Sequence, residues 1–373
     1  VTGTIQNEKN AVKSGIVLGE NAQIIGNTEA ATLTLKGTQL DHAVEFQQDV
    51  KISGQASLQG GEIKGKLEVP NATFTNTKEV LEIQRGLNAD NAVLEVNDPI
   101  KISGDSYLNK TTSKGDGELW LLSDCKGSDN NLDHVKICGI FPQEITMYSG
   151  KFGILEIENQ SITGTKFNSG PMEVTKLIQA QDQKIQNGEN LYITGTAQVN
   201  INNSQMNLTL NNWKGGNWEG NLLGTLYSTG TNTITDSMDL KGGISQRDGE
   251  LTIDHTEVTM RGPLRLDGKL VISEESVVDV KNDISNENYV ALEIKNSGKL
   301  IGDSYRLNRL TGEGEVDIKE DFYLDNDLTF GTLRFCGDKE QNVYISGSSI
   351  QVAQLINDNQ SQKGVQLNSR IYV

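Results

Sequence analysis

The sequence predicts an all-β fold: an elongated, right-handed parallel β-helix (β-solenoid) running as one continuous domain over residues 1–373. Three observations predict it. Composition rules out a thick core, apolar residues alternate in short runs with turns between them, and a long stretch of the chain is written twice.

Only 35% of the 373 residues are hydrophobic and 5% aromatic, alongside 39 Gly, 5 Pro and an excess of Asn, Thr and Ser. This suits a thin core into which alternate residues point. It is also too rich in β-branched residues for disorder. In "GELTIDHTEVTMRGPLRLDGKLVISEESVVDVKND" alternating apolar pairs begin at Leu251, Val258, Leu264, Leu270 and Val277. A strand therefore starts about every six or seven residues, and three strands with their turns make a coil of about 20 residues. Period two dominates and helical periodicity is weak throughout. Stacking such coils about 4.8 Å apart gives a rod on the order of 80 Å long. Inward side chains fill each coil, Asn, Thr and Ser form ladders on its faces, and Gly and Asn take the positive-φ turns. An array of β-sandwiches is the alternative architecture.

The duplication is anchored by "GDSYLNKTTSKGDGELWL" at Gly104 and "GDSYRLNRLTGEGEVDI" at Gly302, an offset of 198. The same offset places Leu94-Glu95-Val96 on Leu292-Glu293-Ile294 and Cys138-Gly139 on Cys336-Gly337. Beyond Gln143 and Gln341 it slips to 200, where Asn159-Gln160-Ser161 meets Asn359-Gln360-Ser361. The matched segments are about 92–174 and 290–373, which indicates tandem duplication of a unit of about 198 residues.

The segment from Leu328 onward, "LTFGTLRFCGDKEQNVYISGSSIQVAQLINDNQSQKGVQLNSRIYV", has a Phe-x-x-Leu strand, a Gly turn, an Ile-Ser-Gly strand and a Leu-x-Asn-x strand leading to Gly-Val-x-Leu. It resembles the degenerate right-handed β-helix repeats of secreted bacterial adhesins and autotransporter passengers. The resemblance implies an extracellular or bacterial cell-surface setting and a role in display. The membrane barrel that ends such passengers is not present in this sequence.

A net charge of −17, without clustered Lys and Arg, argues against nucleic acid. No apolar run approaches the roughly 18 residues of a spanning helix. The opening "VTGTIQNEKN" lacks the basic start and apolar stretch of a signal peptide, so a cytosolic chain and one whose leader has been removed both fit.

Candidate chemistry is sparse, and no catalytic residue is assigned. All three histidines follow an aspartate, in Asp41-His42, Asp133-His134 and Asp254-His255. Three scattered copies read as turns between strands, with general-base or metal chemistry as the alternative. Cys138 and Cys336 are equivalent under the duplication and read as small apolar fillers, while a Cys125–Cys138 disulfide remains open. The close acidic pair Asp325 and Asp327 reads as a solvated turn. No cofactor or dedicated metal site is expected, although the acidic surface would suit weak Ca²⁺ binding. Trp213 and Trp218, flanking a Gly-Gly turn in "NNWKGGNWEG", are the candidate ligand-binding residues, placed to stack on a sugar or meet a protein.

The functional expectation is a secreted or cell-surface stalk, adhesin or passenger module that acts by binding and display, its partner a host or bacterial cell-surface protein or glycan. A toxin or pore-forming passenger and a β-helix polysaccharide lyase or hydrolase are the alternatives. The second copy stops in mid-unit, at the counterpart of about Val174, so the native polypeptide is expected to continue.

Overall fold

A computed structural model of the chain describes residues 16–18, 32–40, 43–180, 183–200, 207–213, 215–286, 291–295, 298–326, 328–347, 350–368, 371 and 373. The fold is a parallel β-solenoid of about 16 turns. A single turn of 3₁₀ helix at Gly188–Asn190 is the one helical element among the described residues. The turns group into two compact units, Val1–Leu191 and Tyr192–Val373.

In the middle of the first unit each turn carries three short strands, two of which give way to one long strand in the later turns, as at Asn130–Ile137 and Gly150–Ile157, and among the described residues the strands pair in parallel with their counterparts one turn on. One row contains Gly61–Ile63, Leu81–Ile83, Ile100–Ile102 and Leu119–Leu121. Its inward residues form an apolar ladder with those of flanking strands, aromatic at Phe46 and aliphatic at Ile63, Ile83, Ile102, Leu121, Ile137 and Ile157, each in register with the next. All seven are at most 2% exposed. At about 1.5–3 kcal/mol for each fully buried aliphatic side chain, such ladders drive the fold.

The second unit is built likewise. The strands expected from the apolar pairs fall at Glu250–Ile253, Glu257–Met260, Leu264–Leu266, Lys269–Ile272 and Val277–Val280. One inward row runs Leu226, Ile244, Leu264, Ile284, Tyr305, Phe322 and Val343.

Corners bury backbone polar groups, and buried asparagines satisfy them. Asn130 accepts from the Thr111 amide at 2.9 Å and donates to the Leu108 carbonyl at 2.8 Å. Asn232 accepts from the Trp213 amide at 2.7 Å and donates to the Thr229 carbonyl at 2.8 Å.

The repeated phrase is less symmetric in space than in letters. Tyr107 points outward and is 51% exposed, with Ser106 and Leu108 inward on the strand Ser106–Asn109. Tyr305 opens the strand Tyr305–Leu307 and is fully buried, its hydroxyl donating to the Asp317 carbonyl at 2.9 Å. One extra residue before the second strand reverses which face each side chain takes. Tyr107 is thus the counterpart in position of Arg306, and Ser106 that of Tyr305. The register recovers at Gly115 and Gly312, which share φ near +115° and +120°.

Candidate functional site

Trp213 is fully buried and Trp218 is 7% exposed. Their rings meet edge to face at 6.5 Å between centroids. Stacking on a sugar needs an open ring face, and this packing leaves none, so the pair fills the core at a corner. Both indole N–H groups are buried without a hydrogen-bond partner.

The histidines divide. His255 sits at a turn with φ 49°, is exposed, and its Nδ1 lies 2.8 Å from Asp254 Oδ1. Asp133-His134 is no turn: both residues lie inside the strand Asn130–Ile137. Asp41-His42 lies outside the described residues, as does Asp327. All three cysteines are free. Cys125 is an inward core residue whose thiol burial pushes up to about 12. Cys138 is only half-buried, and burial still raises its thiol to about 11. Cys138 and Cys336 share a position, each amide donating across the turn, to Leu121 and Ile318 at 3.0 and 2.9 Å. Both sit at the core margin, partly open to solvent, rather than within it.

Two surface features of the first unit stand out. The first is a corner formed by residues 138–142 and, one turn on, 158–164. Asn159 Nδ2 donates to the Phe141 carbonyl at 3.0 Å and to Gln143 Oε1, Gln160 N donates to Gly139 O at 2.8 Å, and Gln143 Nε2 donates to Leu121 O at 2.9 Å. The second copy repeats this set. Asn359 Nδ2 donates to Lys339 O at 2.8 Å and to Gln341 Oε1, Gln360 N to Gly337 O at 2.9 Å, and Gln341 Nε2 to Ile318 O at 2.8 Å. The backbone scaffold is the same and the decoration differs. The first copy presents Ile140, Phe141 and Ile162, which are 68%, 69% and 85% exposed. Asp338, Lys339 and Gln362 occupy these places in the second, where Lys339 pairs with Glu320 and the adjacent Lys363 with Glu340.

The chain has no match among protein-family models, curated proteins or solved structures.

The second feature is a charged row on the outer side of the apolar ladder. Strand alternation turns Lys101, Trp120, Lys136 and Glu156 outward in register, while Ile102, Leu121, Ile137 and Ile157 point in. Glu118 and His134 lie beside this row. Trp120 Nε1 donates to Glu118 Oε2. Lys136 Nζ lies 2.8 Å from Glu158 Oε2 and 3.6 Å from Glu156 Oε1. Burial opposes the charge on Lys136, but the hydrogen bond to Glu158 and the fields of Glu156, Glu158 and Glu118 outweigh it and raise its pKa. Between the two carboxylates sits His134 Nε2, 3.5 Å from Glu156 Oε2 and 4.0 Å from Glu118 Oε1. Sequence reading missed this group because its members are separated by whole turns of unequal length. Aligning the strand Leu119–Leu121 with Val135–Ile137 and Leu155–Ile157 is what brings them together.

Proposed function

We propose that this chain is a display and contact module of an extracellular or bacterial cell-surface protein, binding a protein partner through the Ile140/Phe141/Ile162 corner without turning over a substrate. The supporting observation is the twin corner. Because the second copy forms the same hydrogen-bonded loops with polar residues, the loops do not need large apolar side chains to fold. Exposing three of them on adjacent turns disfavours solubility, and such patches mark interaction sites. The acidic background, including Glu144 and Glu158 near the patch, favours a partner that surrounds an apolar centre with basic groups.

The test replaces Ile140, Phe141 and Ile162 together with the second copy's Asp, Lys and Gln. Binding to whole cells or to a panel of surface proteins is expected to fall at least tenfold for the variant, with its melting temperature unchanged. Undiminished binding overturns the assignment. Release of reducing ends from any polysaccharide incubated with the protein overturns the non-catalytic reading.

A further inference from the structure

We infer that Glu118, His134 and Glu156 form a binding site for a borderline divalent metal ion of the zinc type. One donor atom from each residue lies within 4.8 Å of the other two. Donors about 2.0–2.2 Å from a tetrahedral zinc ion sit roughly 3.3–3.6 Å apart. The His134–Glu156 separation of 3.5 Å already has this value, and the His134–Glu118 separation of 4.0 Å needs only a small side-chain rotation to reach it.

The imidazole points to an ion rather than to a plain ion pair. His134 Nε2 is shut off from solvent and makes no hydrogen bond, although two carboxylates flank it. A buried nitrogen left unmatched between two acceptors is costly unless something bridges them. Each carboxylate also has its other oxygen engaged elsewhere, Glu118 by the Trp120 N–H and Glu156 by the Lys136 ammonium at 3.6 Å. These outer contacts aim the free oxygens at His134, as second partners do for metal ligands. The local charge fits a dication: Glu118, Glu156 and Glu158 against Lys136 leave −2, while Lys101 is held by Glu82 at 3.0 Å. An imidazole with two carboxylates selects zinc or its neighbours over calcium, which prefers all-oxygen shells.

The second copy supplies the contrast. Its Glu315 matches Glu118, but Thr332 replaces His134 and Ile356 replaces Glu156. Lys299 and Arg334 neutralise the acids there, with Lys299 2.8 Å from Glu315 and 2.7 Å from Asp317, and Arg334 3.3 Å from Glu315. The same framework is there closed by salt bridges.

The experiment titrates metal-free protein with Zn²⁺ by calorimetry and with Co²⁺ by visible absorption. The expected result is a site filled by one equivalent, with a Co²⁺ spectrum of low coordination number. His134→Thr and Glu156→Ile, which install the second copy's residues, are each expected to weaken it about 100-fold, and Trp120→Phe about tenfold. His255→Ala, at the exposed turn, is expected to leave it unchanged. Circular dichroism establishes that each variant keeps its β-structure, and Trp120→Phe leaves all three ligands in place should His134→Thr not fold. Absence of a stoichiometric site, or affinity equal to wild type in both His134→Thr and Glu156→Ile, overturns the inference.

Discussion

Gly115 and Gly312 show how strictly a single position can be constrained by stacking. A Cβ at Gly115 would run into the Val96 carbonyl oxygen one turn below, and one at Gly312 into that of Ile294, its duplicated counterpart. Both residues also have positive φ, so backbone strain and steric overlap act together. Gly54, with φ +81° and open space around its missing Cβ, isolates the strain. Gly54→Ala is expected to lower stability by about 1–2 kcal/mol. Gly312→Ala is expected to cost at least about 3 kcal/mol, since the neighbouring turn must also move. Urea midpoints measure the difference, and equal losses would refute the steric part. The Gly-x-Gly-Glu spelling was visible in the sequence, but which carbonyl enforces it depends on the turn beneath. The same limit applied to Trp213 and Trp218. Polar neighbours in sequence suggested exposure, whereas a solenoid corner places its neighbours above and below rather than alongside.

At the level of the strand, alternation told inside from outside wherever its phase was unambiguous. Ile83 and Lys101 illustrate the two faces. Ile83 is fully buried between Ile63 and Ile102, and Ile83→Ala is expected to cost about 2–5 kcal/mol through lost burial and the cavity left behind. Lys101 faces out, 3.0 Å from Glu82, and Lys101→Ala is expected to cost at most about 1 kcal/mol. A pair of thermal melts distinguishes them, and similar losses would contradict the assigned faces. Phase is also where letters misled. Matching Tyr107 to Tyr305 is natural on identity, yet the tyrosines take opposite faces because the strand begins one residue later in the second copy. His134 was misplaced for a related reason: Asp-His suits a turn, but the strand from Asn130 to Ile137 runs straight through it.

For the molecule as a whole, charge makes stability depend on pH in two opposing ways. The Lys114 and Thr75 hydrogen bonds hold Glu95 below the usual carboxylate range, and Lys269 does the same for Glu293. Groups with depressed values stabilise above their unfolded pKa, and that contribution disappears as pH falls through the folded one. Burial acts the other way on Asp303, and on Asp317 despite its hydrogen bond to Lys299. Their contribution is present below the unfolded pKa and fades as pH rises through the raised values. Self-repulsion from a net charge of −17 also eases as carboxylates protonate. The melting temperature is therefore expected to rise from pH 7 towards about pH 5 and to fall below about pH 4. A monotonic decline from pH 7 downward would show that the paired acids dominate throughout.

Among the described residues, strands within a unit bond to strands one turn away, so these contacts stay at nearly constant sequence separation. Folding can then start at any turn and spread to its neighbours. Mechanical load applied through a terminus would reverse this like thread leaving a spool. Each lost turn of about 20 residues would release roughly 65–70 Å of chain. An optical-tweezers trace would accordingly show a staircase of similar small rips, and the turn with the weakest inward row would set where the staircase pauses.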